Sequence, residues 1–158
     1  PSINKCSFSI GRENLSDGKV EGYAGDLTPK ETWEILKNEQ SAMLIDVRTA
    51  AEWNYVGVAD LSNIGKEQLT ISWVTFPGDQ KNENFIAEVE AACPDKDAKV
   101  ISICRSGVRS ISTSTALTEA GYTQAYNVLE GFEGDKNDDE HRGNTGGWKV
   151  RGLPWKQK

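Results

Sequence analysis

The stretch SICRSGVRSIS, residues 102–112, sets one cysteine directly behind a β-like run and follows it with small and cationic residues before a helical pattern opens. In a parallel α/β sheet, sites form beyond the carboxyl ends of strands, where loops lead into helix N-termini. Cys104 falls at such a place. The free N–H groups and partial positive charge of a helix N-terminus stabilise an anion by about 0.3–1 kcal/mol, and by more at a partly buried site. Arg105 and Arg109 add two full positive charges, and cations beside a cysteine favour the thiolate, which is the nucleophilic form. Gly107, with the small Ser106 and Ser110, suits a tight loop whose backbone N–H groups turn inward as an anion nest. A cysteine used only for packing wants apolar neighbours. Two arginines, a glycine and two serines around Cys104 and Val108 are a different environment, so the pattern predicts nucleophilic sulfur chemistry.

The elements that must position this loop follow from periodicity. Residues 28–40 begin with Thr28, Pro29 and Glu31, a capping box with proline in the first turn, and predict a helix that buries Trp33 with Leu36. Residues 43–47, MLIDV, are a short apolar run that ends at Asp46 and Arg48 and reads as a strand buried on both faces. Weaker strand signals lie at 56–60 and 71–76, the second stopped by Pro77 and Gly78. Phe85, Ile86, Val89 and Ala92 give a helical spacing over 82–94 that stops before Pro94. A strand at 99–103, a helix over 108–122 ended by Gly121, and a strand at 124–129 follow. Strands that alternate with helices through short links imply right-handed β-α-β units, hence an α/β fold with a mainly parallel sheet. Residues 130–147, rich in Gly, Asp and Asn, read as an exposed loop, and the tail returns Trp148 and Trp155 to close over the core.

The chain has 158 residues, a length suited to one compact domain, with residues 1–25 as a lead-in and 26–158 as the domain. Its net charge of −6 argues against nucleic acid as a partner. No apolar run is long enough to span a bilayer, and the first residues do not form an intact signal peptide. Cys6, Cys93 and Cys104 cannot all pair within one chain and make no CxxC motif, so neither a disulfide framework nor a metal site is signalled. Free thiols suit the cytoplasm, or a periplasmic protein kept reduced if a leader has been trimmed.

CRSGVR, residues 104–109, resembles the active-site loop of the rhodanese, or thiosulfate sulfurtransferase, family. LIDVRTAAEW, residues 44–53, is similar to that family's first motif, and NVLEGF (127–132) with GWKVRGLPW (147–155) resembles its closing motif. The resemblance covers residues 26–155 and implies a rhodanese-like fold, a central sheet with helices on both faces. It further implies that Cys104 accepts sulfur, that Arg105, Ser106, Gly107, Val108, Arg109 and Ser110 cradle the persulfide, and that Arg109 helps to bind an anionic sulfur donor. Asp46 and Arg48 would support the loop, with Glu52 as an ion-pair partner for Arg48, as a structural cluster rather than as catalysts. The implied reaction takes sulfur from thiosulfate or a related donor to a thiol or cyanide, with a protein as a further possible acceptor. It needs no metal or organic cofactor.

Two other classes compete. A cysteine phosphatase or arsenate reductase also places a thiolate in an Arg-bearing loop, but with five residues between Cys and Arg, whereas here Arg109 closes a loop with one fewer and position 110 is Ser. A non-catalytic sulfur carrier or binding module is the other class, and such modules typically replace the nucleophile that Cys104 retains. The remaining features read blandly. DKNDDE (135–140) departs from a calcium loop at Glu140 and Gly146 and is a solvated acidic stretch, His141 is a surface residue, and Cys93 a packing residue.

Overall fold

The computed structural model of the protein describes residues 22–75 and 80–157. Cys6 lies outside them. Nine strands are present among the described residues: β1 (Gly25–Leu27), β2 (Met43–Asp46), β3 (Val58–Ala59), β4 (Leu69–Thr70), β5 (Val74–Thr75), β6 (Gln80–Lys81), β7 (Lys99–Ile103), β8 (Gln124–Val128) and β9 (Trp155–Lys156). Four α-helices join them: α1 (Pro29–Asn38), α2 (Ala50–Tyr55), α3 (Phe85–Ala92) and α4 (Arg109–Glu119).

Five strands form one sheet in the order β1-β8-β7-β2-β4, every pairing parallel. Side chains alternate across the strands, and this alternation divides the core in two. Ile45, Val47, Val100, Cys104 and Ala125 face one layer, where Phe85 and Val89 of α3 and Leu117 of α4 cover them. Leu44, Ile101, Ile103 and Val128 face the other, beneath Leu36 of α1 together with Phe132, Trp148 and Leu153. The fold is thus α/β, with helices on both faces of a parallel sheet. Parallel pairing aligns strand ends, so Asp46 stands opposite Ile103 and Cys104 emerges from the carboxyl edge of the sheet's central strand. Among the described residues no helix is long and apolar enough to cross a membrane.

Local sequence accounts for two of the four α-helix starts. Thr28 caps α1 and Glu31 returns the bond, and Thr49 and Glu52 do the same for α2. The first box was legible. The second was not, because α2 has only six residues and no buried side chain, and so offers no periodicity to read.

Several expectations change. Trp33 is half-buried, edge-on to Trp148, and of the five tryptophans only Trp148 is fully buried. Ala92, expected in the core, is exposed because α3 turns only Phe85 and Val89 fully inward. The signal at 56–60 shrinks to β3, which pairs antiparallel with β9 of the tail rather than joining the main sheet. That at 71–76 contributes β5, paired antiparallel with β6. Tyr23 is buried and β1 starts at Gly25, so residues assigned to the lead-in are part of the packing. The largest difference concerns residues 130–147. Their middle is solvated, but Gly131, Phe132 and Gly134 at one end and Gly146 and Gly147 at the other are buried.

Candidate active site

Cys104 follows β7 directly and is 1% exposed. Its sulfur accepts hydrogen bonds from the backbone N–H of Gly107 at 3.2 Å and of Ser110 at 3.3 Å. Ser110 Oγ lies 3.2 Å from the same sulfur. Helix α4 has Val108 at its N-cap and no side-chain capping bond. The sulfur therefore takes the N–H of the second helical residue, a group that a Ser, Thr or Asp side chain normally satisfies. Gly107 makes this possible. At φ 98° it occupies the left-handed region, and a Cβ there would stand 3.3 Å from Val128 O and Glu130 N.

The loop is held from behind by the segment expected to be free. Phe132 N–H donates to the Cys104 carbonyl at 2.8 Å, and the N–H groups of Glu133 and Gly134 donate to the Arg105 carbonyl at 2.9 and 3.1 Å. Gly131, at φ 62°, passes so close that a Cβ would meet Cys104 O at 2.4 Å and Arg105 C at 2.6 Å. Asp46 and Arg48 reach the same place from β2. Arg48 is fully buried, grips Asp46 through Nε and Nη2 at 2.9 and 2.7 Å, and donates to Gly57 O at 2.7 Å. Its guanidinium lies 4.4 Å from the centre of the Phe132 ring. A buried charge needs a partner and hydrogen bonds to be tolerated, and this pair has both, so it fixes the residue that fixes Cys104.

Glu52 does not pair with Arg48. Its carboxylate takes both ends of the Arg109 guanidinium, at 3.1 and 2.9 Å, and ties α2 to the first residue of α4. Bidentate carboxylate–guanidinium geometry explains the preference, since Arg48 is already held in the same manner by Asp46. Burial acts to raise the Glu52 pKa, but the hydrogen bond from Arg109, that from Thr49 and the charges of Arg109 and Arg48 outweigh it and hold the carboxyl below the usual carboxylate range. Arg109 shows the converse: burial opposes its charge, and Glu52 with the Cys104 and Asp46 groups pushes it above its ordinary value. Of the other loop residues, Arg105 and Val108 are exposed, and Ser106 is half-buried.

Three residues behind the sulfur were missed from the sequence. Ser110 Oγ donates to Asn127 Oδ1, Asn127 Nδ2 donates to Asp26 at 2.9 Å, and the Tyr23 hydroxyl donates to Asp26 at 2.7 Å. The available signal was Asn127, a polar residue on the buried face of the strand, two residues after Ala125. Cys93 sits on the α3 side of the core, and burial, with Asp95 beside it, pushes its thiol up, as suits a packing residue. His141 and most of 135–140 are exposed.

Comparison with known proteins adds three kinds of likeness. A family model described as Rhodanese-like domain matches residues 28–138. The crystal structure of Rv0390 from M. tuberculosis superposes with a TM-score of 0.80 at 48% identity, covering 86% of this chain and 99% of that one. The uncharacterized RP600 homolog of Rickettsia rickettsii is 36% identical over 126 residues, which is 79% of this chain and 91% of that protein. More distantly, the thiosulfate sulfurtransferase GlpE of Actinobacillus succinogenes is 26% identical over 129 residues, covering 82% of this chain and 87% of its own.

Proposed function

Since the chain belongs to the rhodanese-like domain family, we propose that it is a sulfurtransferase that moves a sulfane sulfur from thiosulfate, or a related anionic donor, to a thiol or cyanide through a Cys104 persulfide. The observation that carries this reading is the Cys104 sulfur seated at the uncapped N-terminus of α4, with two backbone N–H groups on it.

The Cys104 thiolate attacks the outer sulfur of thiosulfate. The sulfur–sulfur bond of the donor breaks, its electron pair leaves with sulfite, and Cys104 retains an outer sulfur that carries the negative charge. The N–H groups of Ser106, Val108 and Arg109 bond to no group among the described residues. They are the donors suited to that outer sulfur, fixed before the reaction as in an oxyanion hole. An acceptor thiolate or cyanide then attacks the outer sulfur and restores the Cys104 thiolate. Arg109 offers its guanidinium beside the loop, with Glu52 fixing its direction and offsetting its charge, and the exposed Arg105 adds positive charge at the site mouth. The chemistry requires no metal or organic cofactor. A small thiol, cyanide or a protein thiol suits the acceptor role, nucleic acid and membrane do not, and a reducing compartment such as the cytoplasm keeps Cys93 and Cys104 free.

The test is the mass of the intact protein after thiosulfate, beside Cys104→Ser. A gain of about one sulfur atom, absent in the variant and removed by cyanide, is expected of covalent sulfur transfer. No gain, with turnover of an aryl phosphate instead, overturns the reading in favour of a phosphatase.

A further inference from the structure

Behind the nucleophile a buried hydrogen-bond chain runs away from the sulfur, and the transfer steps above give it no part. It passes from Cys104 Sγ to Ser110 Oγ, then to Asn127 Oδ1, and from Asn127 Nδ2 to Asp26, which also accepts from Tyr23. Ser110 and Asn127 are 0% exposed, Asp26 6% and Tyr23 7%. Register puts the row there: Asp26 pairs with Asn127 across β1 and β8, and Asn127 with Ser102 across β8 and β7, one pleat before Cys104.

Counting protons gives the chain a direction. A carboxylate only accepts, so the Asn127 amide turns its NH2 to Asp26 and its carbonyl to Ser110. A hydroxyl has a single proton to give. With that proton committed to Asn127, Ser110 presents a lone pair to Cys104. We propose that Asn127, oriented by Asp26, is a positioning residue that withholds the Ser110 hydroxyl proton from the Cys104 sulfur and so keeps the attacking thiolate short of one hydrogen bond.

This role rests on the sulfurtransferase reading for its purpose. In the attack, Sγ changes from an anion into the neutral inner sulfur of a persulfide. A donor on Sγ would stabilise the thiolate and not the product, which raises the barrier, whereas the loop N–H groups not bonded to Sγ can meet the charge on the outer sulfur. The charged groups around Cys104 are Arg105 next to it in the loop, Arg109 of α4 with its partner Glu52, Asp46 with Arg48 at the end of β2, and Asp26 at the far end of the hydrogen-bond chain. Substitution at Asn127 removes none of them, and only Asp26 loses a hydrogen bond by it; the Ser110→Ala background separates that loss from the release of the Ser110 hydroxyl.

The experiment follows alkylation of Cys104 by iodoacetamide against pH in the full chain, read on the Cys104 peptide by mass so that Cys6 and Cys93 do not contribute. Asn127→Leu frees the Ser110 hydroxyl to turn to sulfur, and the midpoint of the profile is expected to fall by about one pH unit, because a hydrogen bond to the charged form favours it. The plateau above the midpoint is expected to fall about threefold, since a stabilised thiolate is a weaker nucleophile. Asn127→Val provides the same test with a side chain that favours strand. In a Ser110→Ala background neither substitution moves the midpoint. A midpoint unmoved or raised in the Asn127 variants, or a fall that persists without the Ser110 oxygen, overturns the proposal. Alkylation needs no sulfur donor, so this result and the thiosulfate labelling can fail independently.

Discussion

Helices α1 and α4 begin in opposite ways. At α1, Thr28 and Glu31 close a reciprocal capping box, and the helix start is satisfied by its own side chains. At α4, Val108 has no acceptor to offer, its backbone is already helical at φ −90° and ψ −53°, and the second helical N–H goes instead to the Cys104 sulfur, six residues earlier in the chain. A capped start gains stability and can bind nothing further. An uncapped start leaves donors for a reacting atom, provided that other parts of the molecule hold the loop in place. Here Gly131, Phe132, Glu133 and Gly134 do so through the backbone, and Glu52 through Arg109. The difference teaches that the binding capacity of α4 is stabilised from outside the helix.

The strongest way to break that arrangement is Gly131→Ala. The added Cβ meets Cys104 O and Arg105 C at 2.4 and 2.6 Å, both backbone atoms, so the loop itself must shift. A displacement near 1 Å costs about a hundredfold in rate when reacting groups must be aligned, and sulfur-transfer kcat/KM is expected to fall by about that factor. Activity within about threefold of the parent would show that the loop does not depend on this support.

Glu52→Gln comes next. Glutamine can still complete the capping box of α2, so the substitution isolates the charge that holds Arg109. The pair is about one-fifth exposed, with 18% and 27% of its two side chains accessible, and a loss of about 1–2 kcal/mol in urea unfolding is expected, between the values for surface and buried pairs. The sign of the pH dependence follows from the lowered carboxyl. As the pH falls below the ordinary 4.5, the unfolded chain takes up the proton before the folded one. This contribution is therefore whole above pH 4.5 and is lost as the pH falls through the folded value. The gap between parent and variant is expected to close on acidification. A gap independent of pH in that range would assign the loss to packing rather than to charge.

The same contrast explains what could be read in the sequence. The nucleophile, the loop and the strand–helix alternation were legible because each lies in contiguous residues: a thiol after an apolar run, arginines and glycine in one turn, periodic faces in α1 and α4. The capping box of α1 was equally local. What stayed hidden depends on register across strands or on contacts distant in sequence. Nothing near Asn127 signals that it stands opposite Asp26, 101 residues away. Phe132 was placed in an exposed loop because its neighbours are Gly, Glu and Asp, yet it sits under Arg48 and against Trp155 with no exposure. Glu52 was given the nearer arginine in sequence, Arg48, although Asp46 already held that fork and the partner in space was Arg109.

On the capped side, Thr28→Ala removes the acceptor for the Glu31 N–H. The expected cost is about 1 kcal/mol of unfolding free energy, typical of losing such a cap, with the thiosulfate reaction unchanged because Thr28 lies at the start of α1 and touches none of the loop residues. A fall in activity parallel to that in stability would show that α1 also positions the site.

The smallest effect is expected where a cap is offered to α4. Val108→Thr adds a hydroxyl of nearly the same shape at the N-cap, and at a start like that of α1 it would stabilise by about 1 kcal/mol. Thr28 caps from an extended backbone, at φ −71° and ψ 162°, whereas Val108 is held in the helical region. From there the hydroxyl cannot turn toward the second and third helical N–H groups without unwinding the loop away from Gly131 and Phe132. Val108 is also 70% exposed, so the new hydroxyl is solvated and costs nothing to desolvate. The free energy of urea unfolding is therefore expected to change by less than about 0.5 kcal/mol, the range of surface substitutions. A gain near 1 kcal/mol would mean that residue type alone had left α4 uncapped, and that the backbone contacts holding the loop yield to a single hydrogen bond.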